Sequence, residues 1–194
     1  MKKITLSLAI VAAMGLSVAG TANATNNGKL LFNGTLTNIS CDINAGTGAS
    51  PGNNPGDINV DLGNVSFSDI GKFEDANLVT KSPIQLLVNC TGGATAYDAV
   101  TMRFLARQGS GLDTADRRLL RTTGAAEGVG IGLVNAGDAL MDLSGNEVIS
   151  APLVKDQDTA TAELNFGAVY VLNGVTTTVA GNADGFLPFV LDYQ

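Results

Sequence analysis

Alternation with a period of two restricts this chain more than any other feature of its sequence. Ile58, Val60 and Leu62 alternate with Asn59 and Asp61, and Ile84, Leu86, Val88 and Cys90 alternate with Gln85, Leu87 and Asn89. Val100, Met102 and Phe104 repeat the pattern around Thr101 and Arg103, as do Val129, Ile131 and Leu133 around Gly130 and Gly132. Leu164, Phe166, Ala168 and Tyr170 follow, and Leu187, Phe189, Leu191 and Tyr193 come last. Successive side chains of a strand point to opposite faces, so each run is expected as a strand with one buried face. No long stretch keeps a 3.6-residue stripe. Turn-rich segments at 45–56, 91–94, 109–111, 135–137, 144–146 and 180–185 separate the runs. Short strands divided by turns make an all-β antiparallel sandwich or barrel. The 24 glycines and the 15% charged fraction suit tight turns and crossings, since about 25% charged residues is usual. Residues 113–127 fit neither period and read either as a turn of helix around 115–120 or as a loop crossing the sandwich. With no internal repeat and no linker between two cores, one domain is expected.

Residues 1–24 read MKKITLSLAIVAAMGLSVAGTANA: two lysines, an apolar run, then small residues ending in Ala22-Asn23-Ala24. This is the pattern of a secretory signal peptide with an A-x-A cleavage site. A transmembrane helix needs about 20 apolar residues, and Ser7, Gly15, Ser17 and Gly20 dilute the run. Cleavage after Ala24 removes Lys2 and Lys3 and leaves a chain more acidic than the −7 of the whole. Export gives Cys41 and Cys90, the only cysteines, a meaning. In an oxidising compartment a single pair is most simply a disulfide, and neither Cys-x-x-Cys nor histidine is present to build a metal or redox site. A loop of about 50 residues closed this way contributes on the order of 4 kcal/mol in the chain-entropy account.

Several chemistries drop out. A pI near 4.4 repels phosphate backbones, so nucleic acid is not expected as a partner. The absence of histidine removes His-based triads, histidine metal ligands and the commonest general base. The serines and threonines lack an activating base, so no enzyme, cofactor or metal is expected. Gly128-Val-Gly-Ile-Gly132 fails the spacing of a dinucleotide loop and reads as a strand with glycines on one face. Asp156 and Asp158 lack the other ligands of a calcium loop and read as a solvated turn. Asp113, Asp116, Arg117, Arg118 and Arg121 gather both signs, as an exposed loop or contact surface does.

The segment 25–36, TNNGKLLFNGTL, is amphipathic as a strand. One face carries Gly28, Leu30, Phe32 and Gly34, and the other carries Lys29, Leu31 and Asn33. It reads either as an ordinary first strand or as an arm that adds a strand to another molecule.

These residues resemble the chaperone/usher pilus subunits, or fimbrial pilins, of Gram-negative bacteria. The resemblance covers essentially the whole mature chain. It rests on the run from Gly28 to Cys41, on Ser82-Pro-Ile-Gln-Leu-Leu-Val-Asn-Cys90, on the strand and turn from Gly128 to Leu140, and on the end of the chain. There, Tyr193 is penultimate and Gly181 stands fourteenth from the C-terminus. The resemblance implies an incomplete immunoglobulin-like antiparallel β-sandwich that lacks its final strand. Residues 1–24 would be the signal peptide, 25–36 a donor-strand arm and 37–194 the pilin domain. Gly28, Leu30 and Phe32 would be donor residues, and Gly181, Leu187, Phe189, Leu191 and Tyr193 would line or flank the acceptor groove. The carboxylate of Gln194 would meet a periplasmic chaperone. An outer-membrane usher would exchange the chaperone's strand for the arm of another pilus subunit, building a fimbria on the cell surface that supports adhesion. The residues depart from the pattern in two places. The arm before Phe32 is short, which leaves an adapter or minor subunit as an alternative, and Pro188 removes a ladder N–H from the last strand. The alternative outside this class is a self-sufficient exported sandwich that binds a carbohydrate or host protein.

Overall fold

The alternating runs close into two antiparallel sheets in a computed structural model that describes residues 40–194, all within the unit Thr37–Gln194. The signal peptide at 1–24 and the arm residues Gly28, Leu30 and Phe32 lie outside the described residues. The larger sheet has the order β1 (Ser40–Ala45), β4 (Ser82–Thr91), β11 (Thr159–Leu172), β7 (Val129–Val134) and β6 (Leu120–Arg121). To it are added β10 (Val154–Asp156), paired with β11, and β8 (Leu140–Met141), paired with β7. The smaller sheet has the order β12 (Phe189–Tyr193), β5 (Ala99–Phe104) and β9 (Val148–Pro152). A short ribbon joins β2 (Ser50–Pro51) to β3 (Ile58–Asn59).

The core lies where the inward faces meet. Leu86 and Val88 of β4 and Ala162 and Leu164 of β11 pack with Val100 and Met102 of β5 and Ile149 of β9. The period-2 reading is visible in the burial itself: along β4, Ile84, Leu86, Val88 and Cys90 are buried while the residues between them are not. Cys41 and Cys90 stand directly opposite each other in the β1–β4 register, with Cα atoms 4.0 Å apart, and form the expected disulfide.

The glycine-rich run is strand β7, buried along its whole length. A Cβ on Gly130 would stand 2.9 Å from Leu119 Cβ, and one on Gly132 would stand 2.7 Å from Leu140 Cδ2. These glycines admit a second cluster, Leu119, Val134, Val169 and Val171, against β7, so the motif serves close packing rather than phosphate. Residues 113–127 form a loop with β6 inside it, not a helix. Asp113 organises its start by accepting from the amides of Ala115 and Asp116 and from Asn173 Nδ2. Arg118 lies 3.9 Å over the Phe73 ring and pairs with Asp116 and Glu74 at 2.7 and 2.6 Å. The mixed charges therefore stabilise a loop. Asp156 ends β10, where it pairs with Thr159, and Asp158 lies in the two-residue turn to β11.

One expected strand is only partly realised. Of the run from Ile58 to Leu62, only Ile58 and Asn59 enter a ladder. The alternation nevertheless continues: Ile58, Val60 and Leu62 pack on the core while Asn59 and Asp61 are exposed. The inward face is built, yet the neighbour that would complete the ladder is not among the described strands.

Candidate functional site

Among the described residues, strand β12 is paired on one side only, with β5. In an antiparallel ladder, hydrogen-bonded pairs alternate with non-bonded ones. Gln194 and Ala99 exchange two bonds: Gln194 N–H donates to Ala99 O at 3.0 Å, and Ala99 N–H donates to Gln194 O at 3.1 Å. Leu105 N–H donates to Pro188 O at 2.8 Å, which keeps the same phase. Even-numbered residues from 188 to 194 thus direct their main chain toward β5. Phe189, Leu191 and Tyr193 direct theirs toward the opposite edge, where no described strand is paired.

This phase explains why Pro188 is tolerated. The N–H that proline lacks would face β5, so the open edge keeps its full set of donors. The same odd-numbered residues turn their side chains inward, where Leu187, Phe189, Leu191 and Tyr193 pack on the core. A row of unpaired amides and carbonyls therefore runs beside a row of apolar side chains.

The space beside that edge is a groove of about 920 Å³. Leu187 and Phe189 form part of one wall, and residues 58–67 form the other. Leu86, Met102, Phe104, Ile131 and Phe166 contribute to its floor, with Phe104 and Phe166 packed edge to face at 5.9 Å. Gly181 lines it where the backbone passes close to the chain before β7: a Cβ there would stand 2.9 Å from Ala126 N. That 123–127 segment is tied to the approach to β12 by reciprocal bonds between Thr123 and Asp184 at 2.7 and 2.9 Å.

Of the expected groove residues, Gly181, Leu187 and Phe189 line the cavity. Leu191 and Tyr193 share the inward face of β12 but lie outside that lining, with the Tyr193 ring 6.0 Å from that of Tyr97. The main chain of Gln194 is held by Asp98 and Ala99. The wall at 58–67 and the floor residues Phe104, Phe166 and Tyr170 escaped the sequence reading of the site. The signal for the wall was the alternation at 58, 60 and 62, which marks an inward face without saying what lies beside it.

Tyr170 is the polar landmark of the groove. Its hydroxyl donates to Ala183 O at 2.9 Å, and burial, followed by the charges of Asp184 and Asp61, raises its pKa, so it stays neutral. Asp61 and Asp184 are the only charged residues of the lining. Among the described residues no group of His, Cys, Asp or Glu is arranged to hold a metal ion. An apolar trench beside an unpaired strand edge is suited to receiving an extended segment through main-chain bonds and alternate side chains. Left uncovered, the same edge is a hazard for aggregation.

Comparison with known proteins gives this architecture its relatives. The chain matches the fimbrial protein family over residues 30–194. No curated protein sequence matched the chain. Among solved structures it is similar to the P pilus rod subunit PapA, at 22% identity over 86% of this chain and 100% of that one, with a TM-score of 0.48. A chaperone-usher pilus subunit from a study of rod uncoiling is 23% identical over 88% of this chain and 97% of that one, with a TM-score of 0.44. The CupB6 tip adhesin from Pseudomonas aeruginosa is 22% identical over 67% of this chain, with a TM-score of 0.45, and this chain spans 34% of its length. Because the family match takes in every described strand together with the groove, the chain belongs to the fimbrial protein family.

Proposed function

We propose that this subunit polymerises by donating a strand. Residues 25–36 of one copy add to the open edge of β12 in the next, with Gly28, Leu30 and Phe32 directed into the groove. Before assembly, a periplasmic chaperone covers the same edge and engages the carboxylate of Gln194, and an outer-membrane usher exchanges it for the arm. The resulting fimbria stands on the cell surface and supports adhesion, with no chemistry performed by the subunit.

The observation that carries this reading is the one-sided pairing of β12 in phase with its inward side chains. An added strand finds N–H and C=O groups already aligned, and burying Leu30 and Phe32 would contribute roughly 1.5 to 3 kcal/mol each. A one-residue slip would turn Lys29 inward, so the pattern of the arm also specifies its register. The test is deletion of residues 25–36 from the mature, oxidised chain, followed by sizing and electron microscopy. Strand donation predicts that fibres are lost and that the truncated chain captures a synthetic 25–36 peptide. Fibres of unchanged length and yield from the truncated chain would overturn it.

A further inference from the structure

The charges around the groove are distributed asymmetrically. Its lining holds two carboxylates, Asp61 and Asp184, and no lysine or arginine. On the wall opposite β12, Ile58, Val60 and Leu62 point inward, which leaves Asp61 on the outer face. Asp184 stands on the approach to β12, whereas Asp192, outside the lining, is already paired with Arg103 at 3.3 Å. The carboxylate of Asp184 makes no hydrogen bond among the described residues, although its main chain is paired with Thr123. The rims of the trench are thus acidic on both sides, over an apolar floor.

The arm is the complement of this pattern. Residues 25–36 contain one charged side chain, Lys29. With Leu30 and Phe32 directed to the floor, alternation directs Lys29, Leu31 and Asn33 outward, into the row that carries the rim carboxylates. Opposite charges on neighbouring strands attract, and like charges there repel.

We propose that Lys29 is a specificity-determining residue of the arm: the acidic rims formed by Asp61 and Asp184 select donor strands that carry a cation on their outward face and reject those that carry an anion. This rests on the strand-donation reading and refines it by naming the partner as a second copy of this chain, recognised by charge as well as by apolar fit. The apolar residues set the depth of binding, and Lys29 sets which arms enter. The selection weakens as salt rises, because these charges are exposed.

The test uses the mature, oxidised chain from which residues 25–36 are deleted, so that its groove holds no arm of its own, with synthetic peptides of residues 25–36 in three versions: unchanged, Lys29→Gln and Lys29→Glu. Peptide capture is read by affinity at low salt and again in about 1 M NaCl. The Gln peptide should bind about threefold more weakly than the unchanged one, and the Glu peptide about tenfold more weakly, at low salt. Both differences should shrink toward unity in high salt. The double variant Asp61→Asn, Asp184→Asn should bind all three peptides alike. Equal binding of the three peptides to the truncated chain with both carboxylates at low salt would overturn the role of Lys29 while leaving strand donation intact. Failure of the unchanged peptide to bind at all, in either salt, would overturn strand donation and this proposal with it.

Discussion

Strands β11 and β12 draw on the same alternating pattern and meet opposite fates. β11 runs for 14 residues through the middle of the larger sheet, paired with β4 along one edge and with β10 and β7 along the other. Its inward residues Ala160 and Leu164 are 0% exposed. β12 runs for five residues, paired with β5 alone, and its inward Phe189, Leu191 and Tyr193 are only half-buried. Side-chain pattern therefore makes a face, while burial of that face and use of both edges require neighbours. In β11 the described chain supplies them itself; in β12 the described residues supply one and leave a groove where the other would lie.

The contrast can be broken or sharpened by perturbing each region in turn. The largest effect should come from the closed sheet: reduction of Cys41–Cys90, or its replacement by serines, should lower the unfolding free energy by about 4 kcal/mol in urea titrations. A matched pair of truncations tests the comparison directly. Leu164→Ala should cost about 2 to 5 kcal/mol, because the cavity lies in a packed interior. Leu191→Ala should cost about 1 kcal/mol in the free chain, and its cost should rise once a strand covers β12. Equal costs for the two in the free chain would mean that β12 is already covered.

Adding an atom probes the closed side from the other direction. Gly132→Ala places a Cβ 2.7 Å from Leu140 Cδ2 and 3.0 Å from Val171 Cγ2, and the overpacking should cost about 1 to 3 kcal/mol by thermal or urea unfolding.

The smallest effect belongs to the charged loop. The Arg118 guanidinium holds the carboxyl of Asp116 below its ordinary 3.8. A depressed carboxylate pKa contributes stability that is present above the unfolded value and is lost as pH falls through the folded one. Arg118→Met should therefore lower Tm at pH 6 and flatten its decline below pH 4, the difference from the unchanged chain narrowing in acid toward that of the lost Phe73 contact alone.

Much of this was legible in the sequence because alternation reports a face. Strands β4, β5, β7 and β11 follow from runs in which every second residue is apolar, and the disulfide follows from a single pair of cysteines in an exported chain. Strand β9 was missed because the exposed Val148 is apolar and the inward Ala151 is small, which blurs the contrast between its faces, although Ile149 and Ala151 pack inward. The loop at 113–127 was ambiguous because it is organised by side-chain caps on Asp113, and hydrophobic period does not encode those. The groove was half legible. The resemblance implied its β12 wall, where alternation alone marked a strand, and the 58–62 wall read as an ordinary strand, since a sequence marks which residues turn inward and not whether a ladder neighbour exists. The worry over Pro188 dissolved for the same kind of reason: which edge loses an N–H depends on ladder phase, fixed by the pairing of Gln194 with Ala99.

The central claim is that β12 lacks a neighbour and that residues 25–36 provide one. The most direct measurement compares thermal unfolding and size of the oxidised mature chain with those of the same chain after residues 25–36 are moved, through a flexible linker, to follow Gln194. The account predicts that relocation turns an assembling chain of low Tm into a monomer that melts far higher. Equal melting and monomeric behaviour in both proteins would contradict it and leave a sandwich that is complete without a borrowed strand.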